Sequence, residues 1–258
     1  MPVQEALQYR NIYLYRESFI MMDSIQQEFT VQGFAVIDNI LHDEEINVLA
    51  SVIENTATDT PAFRKTADLF AIRRFLKTVP AATPLVLTSR LTGLIHQLLG
   101  KDFFITKSIY FDKPVQSNWF VAWHQDLTIS VDKKEPTEGF GPWTVKDEQF
   151  AVQPPVNILE NNFTLRIHLD DTDEQNGALK VIPGSHLHGV VRPQSIADLA
   201  SREVTCPVPR GGVMLMRPLL LHASGRTTNQ QRRRVIHIEF SNTHLPPALQ
   251  WAEKMNLS

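Results

Sequence analysis

The chain has 258 residues, 43% of them apolar, and a formal net charge of −3. That apolar share supports a buried core and argues against a disordered chain. The small negative charge offers no general attraction to nucleic acid or an anionic membrane. One cysteine, Cys206, excludes an intrachain disulfide and a thiolate zinc site and suits a reducing cytoplasm. No apolar run approaches the length needed to cross a bilayer, and residues 1–27 read as an extension without a secretory apolar segment. The only run of three basic residues is Arg232-Arg233-Arg234.

In chain order, residues 24–33 read as a polar helix ending at Gly33, followed by a strand Phe34-Ala35-Val36-Ile37. His42 to Glu45 open a second helix with acids in its first turn and an apolar stripe of Ile46, Leu49, Ala50 and Ile53. Residues 57–66 are turn-like, and the apolar run to Leu76 carries Arg73-Arg74, whose default reading is the surface of a helix. Thr83-Pro84 starts another helix that Gly100 closes. From Phe103 onward strands take over: 103–111, then one carrying Trp123-His124-Gln125-Asp126 toward Val131, then 163–169, 178–182, 204–207, 213–216, 219–222 and 234–240. Residues 132–161 read as a long irregular stretch with Phe140, Trp143 and Phe150, expected to form a lid over an active site. Helices first and short strands after predict an α+β, mostly β fold: a double-stranded β-helix, or jelly roll, flanked by N-terminal helices, in a single domain spanning 1–258.

The chemistry centres on His124 and Asp126. Side chains alternate along a strand, so these two share a face and supply two thirds of a facial site for non-haem ferrous iron. Taken alone the pair is weak evidence, since such pairs arise by chance. The third ligand candidate is His222, at the end of an apolar strand Leu219-Leu220-Leu221; read alone, a core or capping histidine is the better reading. Arg233 follows eleven positions on, and a hairpin would return it beside His222, where a guanidinium suits a remote carboxylate. Ser224 adds a hydroxyl.

Trp123-His124-Gln125-Asp126, then Asn176-Gly177 through Pro183-Gly184-Ser185-His186, then His222-Ala223-Ser224-Gly225 and Arg233, together resemble the phytanoyl-CoA dioxygenase family over roughly 28–242. The resemblance implies a jelly-roll oxygenase dependent on Fe(II), 2-oxoglutarate and O2. It implies His124, Asp126 and His222 as iron ligands and Arg233 on the C5 carboxylate, with Ser224 beside it and Lys107 near the C1 end. It further implies release of succinate and CO2 with oxidation of a small-molecule substrate, and no nucleic-acid or membrane partner. Halogenating relatives lack the ligand aspartate; Asp126 is present, which favours hydroxylation. Desaturation, epoxidation or cyclisation at the same site, or a non-catalytic metal-binding module, stay open.

Thr164, Arg166 and His168 alternate with Phe163, Leu165 and Ile167 and are expected to line the barrel near the metal, with Arg166 either meeting a substrate carboxylate or phosphate or salt-bridged within the protein. Arg166 departs from the bulky residue many relatives carry there. Trp143 is expected to touch substrate from the lid. His186 reads as structural in its turn, and His237 as a satisfied interior residue.

Overall fold

The computed structural model describes residues 22–56, 62–66, 70–115, 117–146 and 149–257. Most of the proposed N-terminal extension therefore lies outside the described residues, while 22–32 are helical.

Fifteen strands are described: β1 (Phe34–Ile37), β2 (Phe63–Lys65), β3 (Phe70–Arg73), β4 (Phe104–Lys113), β5 (Val121–His124), β6 (Ile129–Val131), β7 (Trp143–Lys146), β8 (Gln149–Val152), β9 (Asn162–His168), β10 (Leu179–Val181), β11 (Val204–Cys206), β12 (Val213–Met216), β13 (His222–Ser224), β14 (Arg233–Ser241) and β15 (Met255–Asn256). One large antiparallel sheet runs β1-β12-β9-β14-β4-β3-β2, with β15 also on β4. A smaller sheet, β11-β10-β13-β5, is the second wall of the jelly roll; a third, β6-β8-β7, stands apart from both.

Alternation sorts the large sheet into two faces. On β9 and β14, Phe163, Leu165, Ile167, Ile236, Ile238 and Phe240 join the main core with helical residues Phe29, Ile46, Leu49, Leu91 and Ile95. The opposite face turns toward the smaller sheet. Met214 and Met216 pack there on Leu179, Val181 and Leu220, and the polar residues of β9 and β14 share that side. Each fully buried large aliphatic side chain is worth roughly 1.5–3 kcal/mol, so the apolar face anchors the sheet and leaves the polar face for chemistry.

The covering helices follow local rules. Asp43–Glu54 begins at His42, whose backbone N–H donates to Glu45 Oε2 at 2.7 Å. Ser89–Leu99 begins at Thr88, whose Oγ1 accepts from the Leu91 N–H, and ends at Gly100 with φ +97°. Its buried Leu91, Leu94, Ile95 and Leu98 keep helical spacing. The helix expected from Thr83 is interrupted: short turns occupy 80–86, and the long segment starts only at Ser89.

Four other expectations need correction. Residues 132–161 are irregular only in part: 132–142 lack helix or strand, but β7, β8 and the helix Val156–Glu160 follow. Alternation is short there and the segment is polar, so periodicity concealed it. Leu219-Leu220-Leu221 is a buried turn, and β13 starts at His222; a short apolar run reads alike as strand or buried turn. His222 and Arg233 are not hairpin partners. β13 pairs with β10 and β5, whereas β14 pairs with β4 and β9. Finally, Arg73 ends a strand and Arg74 sits left-handed at φ +50°, so neither lies mid-helix.

Candidate metal centre and carboxylate pocket

His124 on β5 stands directly opposite His222 on β13, and their rings lie 4.1 Å apart between centroids. Asp126 follows the end of β5, its N–H bonded to Pro218 O at 2.9 Å. Its carboxylate oxygens lie 3.7 Å from His124 Nε2 and 3.8 Å from His222 Nε2. One ligand atom from each residue falls within 4.8 Å of the others, so a single ion can reach all three. In both histidines Nδ1–H donates to the carbonyl two residues back, Ala122 at 2.8 Å and Leu220 at 2.9 Å. That fixes the tautomer and leaves both Nε2 lone pairs turned inward.

Electrostatics suit a cation. Burial pushes His222 down to about 4, with Asp126 only partly opposing, so it is a neutral donor at pH 7. Burial pushes the Asp126 carboxyl up, but His222, His237 and Lys107 outweigh it and hold it at about 2. The donor set of two neutral imidazoles and one carboxylate on one face leaves further positions open and fits Fe(II).

Gln125 holds this strand end in place. Its Nε2 donates to Gly189 O at 2.8 Å and Leu219 O at 2.6 Å, and its Oε1 accepts from Val191 N–H at 2.8 Å. The Pro183-Gly184-Ser185-His186 turn steadies the other side. Ser185 Oγ accepts from the Leu221 N–H at 2.8 Å, next to His222, and the His186 ring sits where a Cβ on Gly33 would fall. His186 is structural, as its motif implied.

A cavity of about 210 Å³ opens beside the three ligands, bordered also by Phe111, Trp119, Arg166, Ser224, Arg233 and His237. Arg233 is 3% exposed and donates to Gly177 O. Its Nε has no partner, and neither does Ser224 Oγ. Burial, reinforced by Arg166 nearby, pushes Arg233 down to about 9, which leaves it cationic at neutral pH. Asn176-Gly177 builds the acceptor: Asn176 Oδ1 accepts from the Asp173 N–H at 2.8 Å, its Nδ2 donates to Asp171 O at 2.7 Å, and Gly177 turns at φ +82°. A Cβ there would meet Gly225 O at 2.7 Å, so glycine is required. A buried guanidinium with one free donor edge and an unpartnered hydroxyl fit a dicarboxylate's far end.

The remaining expected residues divide. Thr164, Arg166 and His168 are all buried on the inner face of β9, but only Arg166 borders this cavity. Arg166 is 8% exposed, and burial pushes it down to about 10, with Asp126 opposing. Its guanidinium donates to His237 Nδ1 at 3.2 Å, and His237 Nε2–H donates to Glu239 Oε1 at 3.2 Å. Lys107 does not border this cavity: its Nζ pairs with Glu239 at 2.7 Å and lines a second cavity of about 170 Å³ with Arg73, Arg74 and Glu253. Trp143, on β7, packs with Phe140 and Phe150 rather than lining the metal cavity; Thr144, Gln149 and Phe150 of that hairpin border the second cavity. Sequence reading gives Gln125 a packing role that fixes its strand, which these hydrogen bonds extend, but it missed the Lys107–Glu239–His237–Arg166 chain. The inward alternation of β14 at 233, 237 and 239 was the signal available for the latter.

The model of the phytanoyl-CoA dioxygenase (PhyH) family matches residues 29–235, about four fifths of the chain. The chain belongs to the phytanoyl-CoA dioxygenase family. Within this family it is similar to an ectoine dioxygenase of Bordetella bronchiseptica, 27% identical over 168 residues, which are 62% of this chain and 48% of that one. The chain thus spans about half the length of the ectoine dioxygenases first matched. It is also similar to a probable alpha-ketoglutarate-dependent hypophosphite dioxygenase of Stutzerimonas stutzeri, 25% identical over 257 residues, covering 87% and 80% of the two chains. Among solved structures, EctD from S. alaskensis with 2-oxoglutarate and 5-hydroxyectoine superposes with a TM-score of 0.65 at 21% identity, covering 84% and 74%. That likeness supports a shared jelly-roll fold. Among the described residues no helix is long and apolar enough to cross a membrane.

Proposed function

We propose that this member of the phytanoyl-CoA dioxygenase family is an Fe(II)- and 2-oxoglutarate-dependent oxygenase that hydroxylates a small-molecule substrate. One observation carries the reading: two imidazole Nε2 atoms and one carboxylate converge within 4.8 Å, in the same cavity as a buried guanidinium with an unpartnered N–H. His124, Asp126 and His222 would hold iron, which when bound supplies oxidative decarboxylation of the keto acid coupled to substrate oxidation. Arg233 and Ser224 hold and orient the remote carboxylate, and Asp126 offsets part of the metal charge. A bare metal-binding module would have no use for Arg233. The catalytic expectation also draws on relatives whose names specify oxygenation of ectoine and hypophosphite.

The test is succinate release from 2-oxoglutarate with ferrous iron under oxygen, screened against small amino and phosphorus acids. Activity should vanish in His124→Ala and fall with Arg233→Ala. Unchanged 2-oxoglutarate affinity in Arg233→Ala would overturn the assignment of that residue.

A further inference from the structure

The metal cavity contains a second buried guanidinium, and the proposed reading leaves it without a counter-ion. Arg166 is more than nine-tenths buried and borders the cavity together with His124, Asp126, His222 and Arg233. One N–H reaches the neutral acceptor His237 Nδ1 at 3.2 Å, while its Nε has no partner. Among the described residues no carboxylate lies within ion-pair distance of it. Glu239, the acid behind His237, is already engaged by Lys107 at 2.7 Å and by His237 at 3.2 Å. Asp126 faces the two imidazoles.

Counting charge sharpens the point. Besides its histidines, the charged side chains that line the cavity are Asp126, Arg166 and Arg233. On the proposed reading, Asp126 and the keto acid's near carboxylate offset a divalent metal, and Arg233 takes the far carboxylate. One positive charge then remains on Arg166. An isolated charge away from water is costly unless a paired group arrives, and a planar fork of N–H donors favours oxyanions.

We infer that Arg166 anchors a second anionic group beside the metal position, a carboxylate or phosphorus oxyanion distinct from the one assigned to Arg233. This rests on the oxygenase reading above. The same chemistry has two sources: an acidic primary substrate, which the charge count favours, or the metal-proximal carboxylate of the keto acid itself.

The experiment uses the full chain loaded with zinc, which binds without redox turnover, and measures affinity by calorimetry. 2-Oxoglutarate is titrated into the unaltered protein, Arg166→Gln, Arg166→Lys and Arg233→Gln. Methylphosphonate, acetate and neutral acetamide are then titrated at saturating 2-oxoglutarate. With a substrate acid as the source, Arg166→Gln keeps 2-oxoglutarate affinity within threefold. The unaltered protein then prefers methylphosphonate or acetate to acetamide at least tenfold, Arg166→Gln loses that preference and Arg166→Lys retains part of it. With the keto acid as the source, Arg166→Gln weakens 2-oxoglutarate at least tenfold and lysine partly restores it. The inference is overturned when Arg166→Gln alters neither quantity, or when the unaltered protein shows no acid preference and Arg166→Lys binds 2-oxoglutarate normally; the latter needs no glutamine variant that folds. Arg233→Gln reports separately on the oxygenase reading: intact 2-oxoglutarate affinity there sinks that assignment, and the acid-against-amide comparison still decides Arg166.

Discussion

Replacing Arg233 with methionine should move stability and ligand affinity in opposite directions. Arg233 is 3% exposed, donates to Gly177 O and leaves Nε unpartnered. Burial, with Arg166 adding repulsion, pushes it down to about 9, a shift of roughly 5 kcal/mol against the charged form. Methionine has similar length and no charge to desolvate, though it leaves Gly177 O without that donor at a cost of about 1 kcal/mol. Allowing for imperfect packing, the ligand-free variant should gain about 1–3 kcal/mol. In a chain of this size each kcal/mol raises the midpoint by roughly 2–4 °C. Affinity should fall, because losing a buried charge-assisted contact costs about 2–5 kcal/mol, roughly thirtyfold or more in Kd. Thermal denaturation with and without zinc plus 2-oxoglutarate checks both. At a 2-oxoglutarate concentration about 100 times the parent's Kd the zinc-loaded unaltered protein gains about 2.7 kcal/mol from the keto acid, and the variant, at least roughly thirtyfold weaker, should gain at most about 0.9 kcal/mol. A ligand-free variant less stable than the parent, still stabilised by 2-oxoglutarate, would refute the reasoning.

Ser224→Ala should weaken 2-oxoglutarate by about 1 kcal/mol, roughly fivefold, with little change in ligand-free stability, because its Oγ has no protein partner; calorimetry and melting together check this. Gln125→Ala strips partners from two carbonyls and one N–H and should cost about 2–4 kcal/mol while loosening metal binding roughly 10–100-fold, measured by chelator competition. Gly177→Ala places a Cβ against Gly225 O in a left-handed backbone and should lower the denaturant midpoint by the equivalent of at least about 2 kcal/mol. His168 is 3% exposed, and burial, with Arg166 and Arg233 adding to it, drives its pKa well below 6.5. The unfolded chain binds a proton there that the folded one refuses. Its contribution is therefore intact above pH 6.5 and is lost as pH falls below it, at up to about 1.4 kcal/mol per pH unit. His168→Gln should flatten the stability profile of the metal-free protein by that slope.

Local chemistry made much of this protein legible from residues alone. The helix stripes, the helix start at His42 and the alternation along β9 and β14 depend on neighbours within a few positions, and all appear in the fold. His124, Asp126, His222 and Arg233 were identifiable because metal and carboxylate chemistry restricts residue types and the segments that carry them. What the tertiary structure decided was which surfaces face each other. His222 and Arg233 reach one cavity from opposite sheets rather than along a hairpin, a pairing set by long-range register. Lys107 turned to Glu239 because a strand neighbour 2.7 Å away satisfies an ammonium better than a partner farther off. Trp143–Lys146 and Gln149–Val152 became strands because cross-strand pairing and the packing of Trp143 and Phe150 against the neighbouring apolar cluster organise segments with little periodicity of their own. The setting of Arg166 also belongs to three dimensions: a sequence shows that an arginine is present, but only packing shows that among the described residues no carboxylate lies within ion-pair distance of it.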